Sequence, residues 1–178
     1  MRVMKLMAYS LAAMLGFFSG NLLAEGNTYQ IELIVFSQAM SNTEVFDQTE
    51  SRIKWPATLT ELSAYKQADN MTLNDSLAAL SKDSAYRPML HISWIQPAGD
   101  VVAPVHIQTA DGKLNGYLQM QHEQSLQMTV DLEYLSNQSD SSGKTIIYRL
   151  NEKRPIKLNE IYYLDHPKLG VIAKISAL

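Results

Sequence analysis

The sequence predicts one α+β domain: a mainly antiparallel sheet of about five to six strands, with one or two short helices packed on one face. Three observations carry that expectation. Leu126, Met128, Val130, Leu132 and Tyr134 recur at spacing two, the period of a strand with one buried face. Turn signals, Asp111-Gly112 and the polar run Ser136 to Gly143, separate apolar stretches in the manner of hairpins. Helical spacing is confined to two short stretches.

In chain order, Tyr29-Gln30-Ile31-Glu32-Leu33-Ile34-Val35-Phe36 starts as an alternating strand and ends as a wholly apolar run. That pattern suits an interior strand covered on both faces at its far end. Ser37 to Pro56 is polar and aperiodic and reads as a long loop, a candidate for ordering on a partner. Leu59 to Lys66 is the weaker helical stretch. Leu73 to Lys82 is the stronger, with Asn74 as the expected N-cap and Leu77 and Leu80 on one face. After Tyr86-Arg87-Pro88 comes a strand, Met89 to Gln96, in which Leu90, Ile92 and Trp94 oppose His91 and Ser93. A short strand at Val105 to Ile107 turns through Asp111-Gly112 into Leu114 to Met120. The long strand from Leu126 follows, with Thr145 to Leu150 as its partner. Gln127, Thr129, Asp131 and Glu133 fill the other face of that strand and are expected to face solvent. Asn159 to Leu164, a turn at Asp165-His166-Pro167, and a last strand from Gly170 to Ile175 complete the domain.

The chain begins with a basic stretch (Arg2, Lys5), an uncharged apolar run from Leu6 to Phe18, then Ser19, Gly20 and Ala24. This is the layout of a secretory signal peptide cleaved after Ala24, with Leu22 an unusual residue at position −3. A membrane anchor is the competing reading, but the apolar core is shorter than the roughly 20 residues a span needs. The expected product, residues 25–178, is a single domain with no stable membrane insertion after cleavage. Removing 24 of 178 residues leaves 154, enough for one core. There is no cysteine, which excludes thiol nucleophiles, thiolate metal sites and disulfide support.

The mature part carries 13 Lys and Arg against 18 Asp and Glu, and a net charge of −5 argues against nucleic acid as a partner. The charge is uneven: residues 144–178 hold 7 basic and 3 acidic groups. Such a segment is either a lysine-studded strand edge that resists edge pairing or a cationic patch for an anionic polymer or acidic partner.

Catalytic constellations fail one by one. His122-Glu123 has no second histidine four residues on, there is no G-x-S-x-G elbow, and the 8 glycines form no phosphate loop. Nothing in the spacing of His91, His106, His122 and His166 asks for a metal or other cofactor. The sequence therefore points to binding rather than catalysis. The candidate binding residues are Arg149, Lys153, Arg154 and Lys157 with Tyr162 and Tyr163, because aromatic faces stack on sugar rings and cations pair with carboxylates. Trp94 is either a core residue or a stacking platform. Asp165, His166, Pro167 and Gly170 read as a structural turn.

Three blocks, Tyr29 to Phe36, Tyr86 to Pro97 and Tyr163-Leu164-Asp165-His166-Pro167-Lys168-Leu169-Gly170-Val171, resemble in that order the CsiV family of gamma-proteobacterial periplasmic proteins. The resemblance implies a non-enzymatic accessory of peptidoglycan synthesis. It would bind peptidoglycan and support a bifunctional penicillin-binding protein, through that enzyme's outer-membrane lipoprotein activator. A protein–protein adaptor with indirect wall association is the alternative. The chain departs from the family pattern at Ile95, where a basic residue is expected, at Tyr162, where histidine is usual, and in a basic cluster thinned to Lys153-Arg154-Pro155. The resemblance carries over no catalytic residue.

Overall fold

A computed structural model of the chain describes residues 28–39, 46, 48–99 and 102–178; the expected leader lies outside them. The strands are β1 (Thr28–Gln38), β2 (Thr60–Glu61), β3 (Lys66–Gln67), β4 (Tyr86–Pro97), β5 (Val105–Gln108), β6 (Leu114–His122), β7 (Leu126–Ser139), β8 (Thr145–Pro155), β9 (Ile161–His166) and β10 (Leu169–Ala177), with one helix, α1 (Asn74–Lys82). They form two five-stranded sheets rather than the single sheet expected. The first has the order β3-β4-β1-β10-β9 and the second β2-β5-β6-β7-β8. Every pairing is antiparallel except the short contact of β2 with β5.

Both sheets feed one core. Ile31, Leu33 and Val35 of β1, Trp94 of β4 and Val171, Ala173 and Ile175 of β10 cluster with Leu118 of β6 and Met128, Val130 and Leu132 of β7. Alternation along each strand aims these residues inward. β1 lies centrally in its sheet, and its far end is buried on both faces as its apolar run requires. Ile34 and Phe36 point away from the shared core and meet Leu73, Leu77 and Leu80 of the α1 region.

Two close approaches demand glycine. A Cβ on Gly116, where φ is +156°, would lie 2.0 Å from the Asp131 carbonyl oxygen of neighbouring β7. One on Gly170 would lie 2.3 Å from the Phe36 ring, so Gly170 is what lets Phe36 lie flat across β10.

Three expectations are corrected. Leu59 to Lys66 is not a helix: it splits into β2, a 3-10 turn (Leu62–Ala64) and β3. A stretch that short gains little from helical hydrogen bonds, and pairing with β5 and β4 outweighs it. Asn74 is not the N-cap of α1, because Leu73 occupies that position without a side-chain cap. A carboxylate from a distant strand takes over: Glu32 accepts the backbone N–H groups of Thr72 (2.7 Å) and Leu73 (2.9 Å) and the Thr72 hydroxyl (2.9 Å). Finally, the outer face of β7 is not wet along its whole length: Gln127 and Thr129 are half-buried. Asp131 and Glu133 are buried: Arg149 pairs with Asp131, and the non-regular segment 48–56, which fills part of the expected loop, donates to Glu133.

Glu32 is 1% exposed and also contacts His91 Nε2 at 2.8 Å. Burial by itself pushes its pKa up, but the hydrogen bonds from His91, Leu73 and Thr72 together outweigh it and leave the pKa lowered. A lowered folded pKa contributes stability that is present above the unfolded value and lost as pH falls through the folded one. Glu32→Gln should therefore cost about 1–3 kcal/mol near neutral pH. Urea unfolding across pH should show the gap from wild type closing once the pH drops below Glu32's folded pKa.

Candidate functional site

β8 and β9 are the edge strands of the two sheets and lie beside each other at one side of the molecule. The Arg154 guanidinium donates to the Tyr163 carbonyl across this seam at 3.2 Å. The turn between the strands is held by the Tyr162 hydroxyl, which accepts from Lys157 N (2.6 Å) and donates to Glu160 (2.9 Å). Asn159 takes φ +66° in that turn, a conformation asparagine tolerates, and donates its N–H to the Ile175 carbonyl.

The predicted cations are not assembled into one patch. Arg149 and Lys153 stand on the outer face of the second sheet, Arg154 at the seam and Lys157 in the turn. Each also meets a carboxylate. Arg149 forms a two-pronged pair with Asp131 (2.8 Å for both bonds), Lys153 meets Glu123 at 2.8 Å, Arg154 binds Glu152, and Lys157 lies 3.8 Å from Glu160. The Asp131 hydrogen bond raises the pKa of Arg149 further. Above the pair, Gln48 Nε2 and Arg52 N both donate to Glu133 at 2.7 Å, and Trp55 packs edge-on to His106. Arg149 therefore belongs to a buried ionic network, and Trp94 is fully buried with its indole N–H on Gln96, presenting no face to a ligand.

Tyr163 and Ile161 differ. They share the outward face of β9 and are 45% and 57% exposed. Tyr163 lies parallel to Phe36 (centroids 6.2 Å apart, 13° between planes), beside a groove of about 340 Å³ floored by Phe36, Leu80, Tyr86 and Ile172. Its hydroxyl donates to Asp165 (2.9 Å), and burial with that carboxylate pushes its pKa up to about 12, so the ring is a neutral phenol near neutral pH. Ile161 was not singled out from the sequence, although its place two residues before Tyr163 on a strand was the available signal.

The Asp165-His166-Pro167 turn is knitted to β1. Gln38 Nε2 donates to Asp165 (2.7 Å) and to the His166 carbonyl (2.5 Å), while His166 Nδ1 accepts from Lys168 N (3.1 Å). The His166 ring packs against Phe46 and Tyr148. Among the described residues no group of three or more His, Cys, Asp or Glu side chains is disposed to hold a metal, and no helix is long and apolar enough to cross a membrane.

A family model described as "Peptidoglycan-binding protein, CsiV" matches residues 6–178. The chain belongs to the CsiV family. No curated protein and no solved structure gives a significant match. Within this CsiV-family chain, the three resembling blocks are β1, β4 and the β9–β10 hairpin, which are contiguous strands of the first sheet.

Arg149→Ala would strand a buried Asp131, and urea unfolding should show a loss of about 2–4 kcal/mol. Lys153→Ala, at an exposed pair, should change stability by less than about 1 kcal/mol.

Proposed function

We propose that this CsiV-family chain is a periplasmic, non-enzymatic accessory of peptidoglycan synthesis, exported by residues 1–24 and bound directly to the wall. The observation that carries the reading is the exposed Tyr163–Ile161 platform with Arg154 at its margin, in a member of a peptidoglycan-binding family. An aromatic ring fixed by a stack and a hydroxyl hydrogen bond is a rigid surface for the apolar face of a sugar. Lys153 and Lys157, at exposed and readily exchanged ion pairs, add a modest attraction for wall carboxylates. The link to a bifunctional penicillin-binding protein, through its outer-membrane lipoprotein activator, is the partner that the family resemblance suggests. The adaptor reading is favoured by one observation, the carboxylate partner beside each of the four predicted cations.

Co-sedimentation of the purified protein with protein-free sacculi, across a salt series, tests this. Wild type should be retained with weak salt dependence. Tyr163→Ala should lower affinity about three- to tenfold, while a Lys153→Gln, Lys157→Gln double variant loses less. Absence of wild-type retention would sink direct binding and leave the adaptor.

A further inference from the structure

A second concavity lies at the opening between the two sheets. It has a volume of about 390 Å³ and is lined by Arg87 and Met89 of β4, Asp111 and Lys113 of the β5–β6 turn, and Tyr134 and Asn137 of β7. We propose that this cleft binds a free carboxylate of the peptidoglycan stem peptide, an assignment that rests on the wall-binding reading above.

Charge is the first argument. The predicted cations around β8 each face a carboxylate, whereas the Arg87 side chain makes neither a hydrogen bond nor an ion pair among the described residues. Lys113 Nζ donates to the Asn137 side-chain oxygen at 3.1 Å, and neighbouring Asp111 offsets part of its charge without forming an ion pair with it, so Arg87 leaves the cleft cationic on balance. Two cations therefore converge from different sheets on one cleft.

Preorganisation is the second. The backbone of Lys113 is tied at both ends: its N–H donates to Asp111 (3.1 Å) and its carbonyl accepts from Leu135 N (2.8 Å). The Thr109 hydroxyl locks Asp111 in turn at 2.6 Å. Across the cleft, the β1–β4 register slips between Val35 and Phe36, so that Leu90 and Pro88 oppose them and Met89 is an extra residue. Such a bulge re-aims the side chains around it, and Pro88 has no N–H to leave unpaired there.

The ligand class follows from the mixture. Wall glycan carries acetamido and hydroxyl groups, while the fixed negative charges of peptidoglycan are the stem-peptide carboxylates. A polyanion would be repelled by Asp111 at the rim, but a stem peptide also bears an ammonium group. Tyr134 and Met89 give apolar contact for the short methyl and methylene side chains between those charges.

Isothermal titration of the full chain with a soluble stem tetrapeptide ending in free D-alanine, and with its carboxyl-amidated form, tests the cleft. Wild type should bind the free acid, and the amide should bind at least tenfold more weakly. Arg87→Gln with Lys113→Gln should lower affinity for the acid at least tenfold while leaving thermal unfolding unchanged, since both side chains are exposed. Equal affinity of the double variant, equal affinity for the amide, or no wild-type binding would each overturn the assignment. Sacculus sedimentation run in parallel separates the two failures: retention without tetrapeptide binding rejects the cleft alone, and loss of both rejects the wall-binding reading with it.

Discussion

The contact between the inner faces of the two sheets is the constraint on which everything else rests. With no disulfide available, the domain is held by apolar burial, and neither sheet has another large surface on which to bury its inward row. Trp94, Ile31 and Leu33 on one side and Leu118, Met128 and Leu132 on the other must interdigitate as a packed solid. That packing fixes where the sheet edges fall. It brings β8 beside β9, and it sets the β4 start across from the β5–β6 turn, so both the seam and the cleft are products of one interface.

The outer faces obey a second rule. Each buries carboxylates, Glu32 on one sheet and Asp131 with Glu133 on the other, and each is covered by chain that is not part of a sheet. The coverings are chemically alike: backbone N–H groups of Thr72, Leu73 and Arg52 converge on strand carboxylates. A carboxylate holding several donors is a specific anchor, because a helix or loop displaced from it leaves a buried charge unsatisfied. Covering segments of low apolar content are thereby located without a large core of their own.

Much of this was legible in the sequence, and the rest was hidden for identifiable reasons. The alternation from Leu126 to Tyr134 and the apolar run ending at Phe36 located β7 and β1, because strand periodicity is a local property. The same alternation does not say whether a buried row faces a helix or a second sheet, so it fits one sheet as well as two. The burial of Asp131 and Glu133 is not visible in the strand alone, because their partners, Arg149 for Asp131 and Gln48 and Arg52 for Glu133, are remote in sequence. Arg149, Lys153, Arg154 and Lys157 looked like a patch because they are close in sequence, yet period two and a turn send them to different surfaces. Tyr163 was legible as a candidate and Ile161 was available from its spacing on the same strand, whereas the convergence of Arg87 with Lys113 needed the fold.

The hold of Glu32 on α1 also shapes the groove beside Tyr163. The helix is held by one turn-capping carboxylate and by a small apolar cluster that joins Leu73, Leu77 and Leu80 to Ile34, Phe36, Tyr86 and Ile172 of the sheet. Lifting α1 would expose that cluster and leave the buried Glu32 carboxylate without its backbone donors. Because Phe36 and Leu80 floor the groove beside Tyr163, such lifting would also dismantle that groove. The aromatic platform thus stands where α1 meets the first sheet, and its groove exists only while that helix is seated.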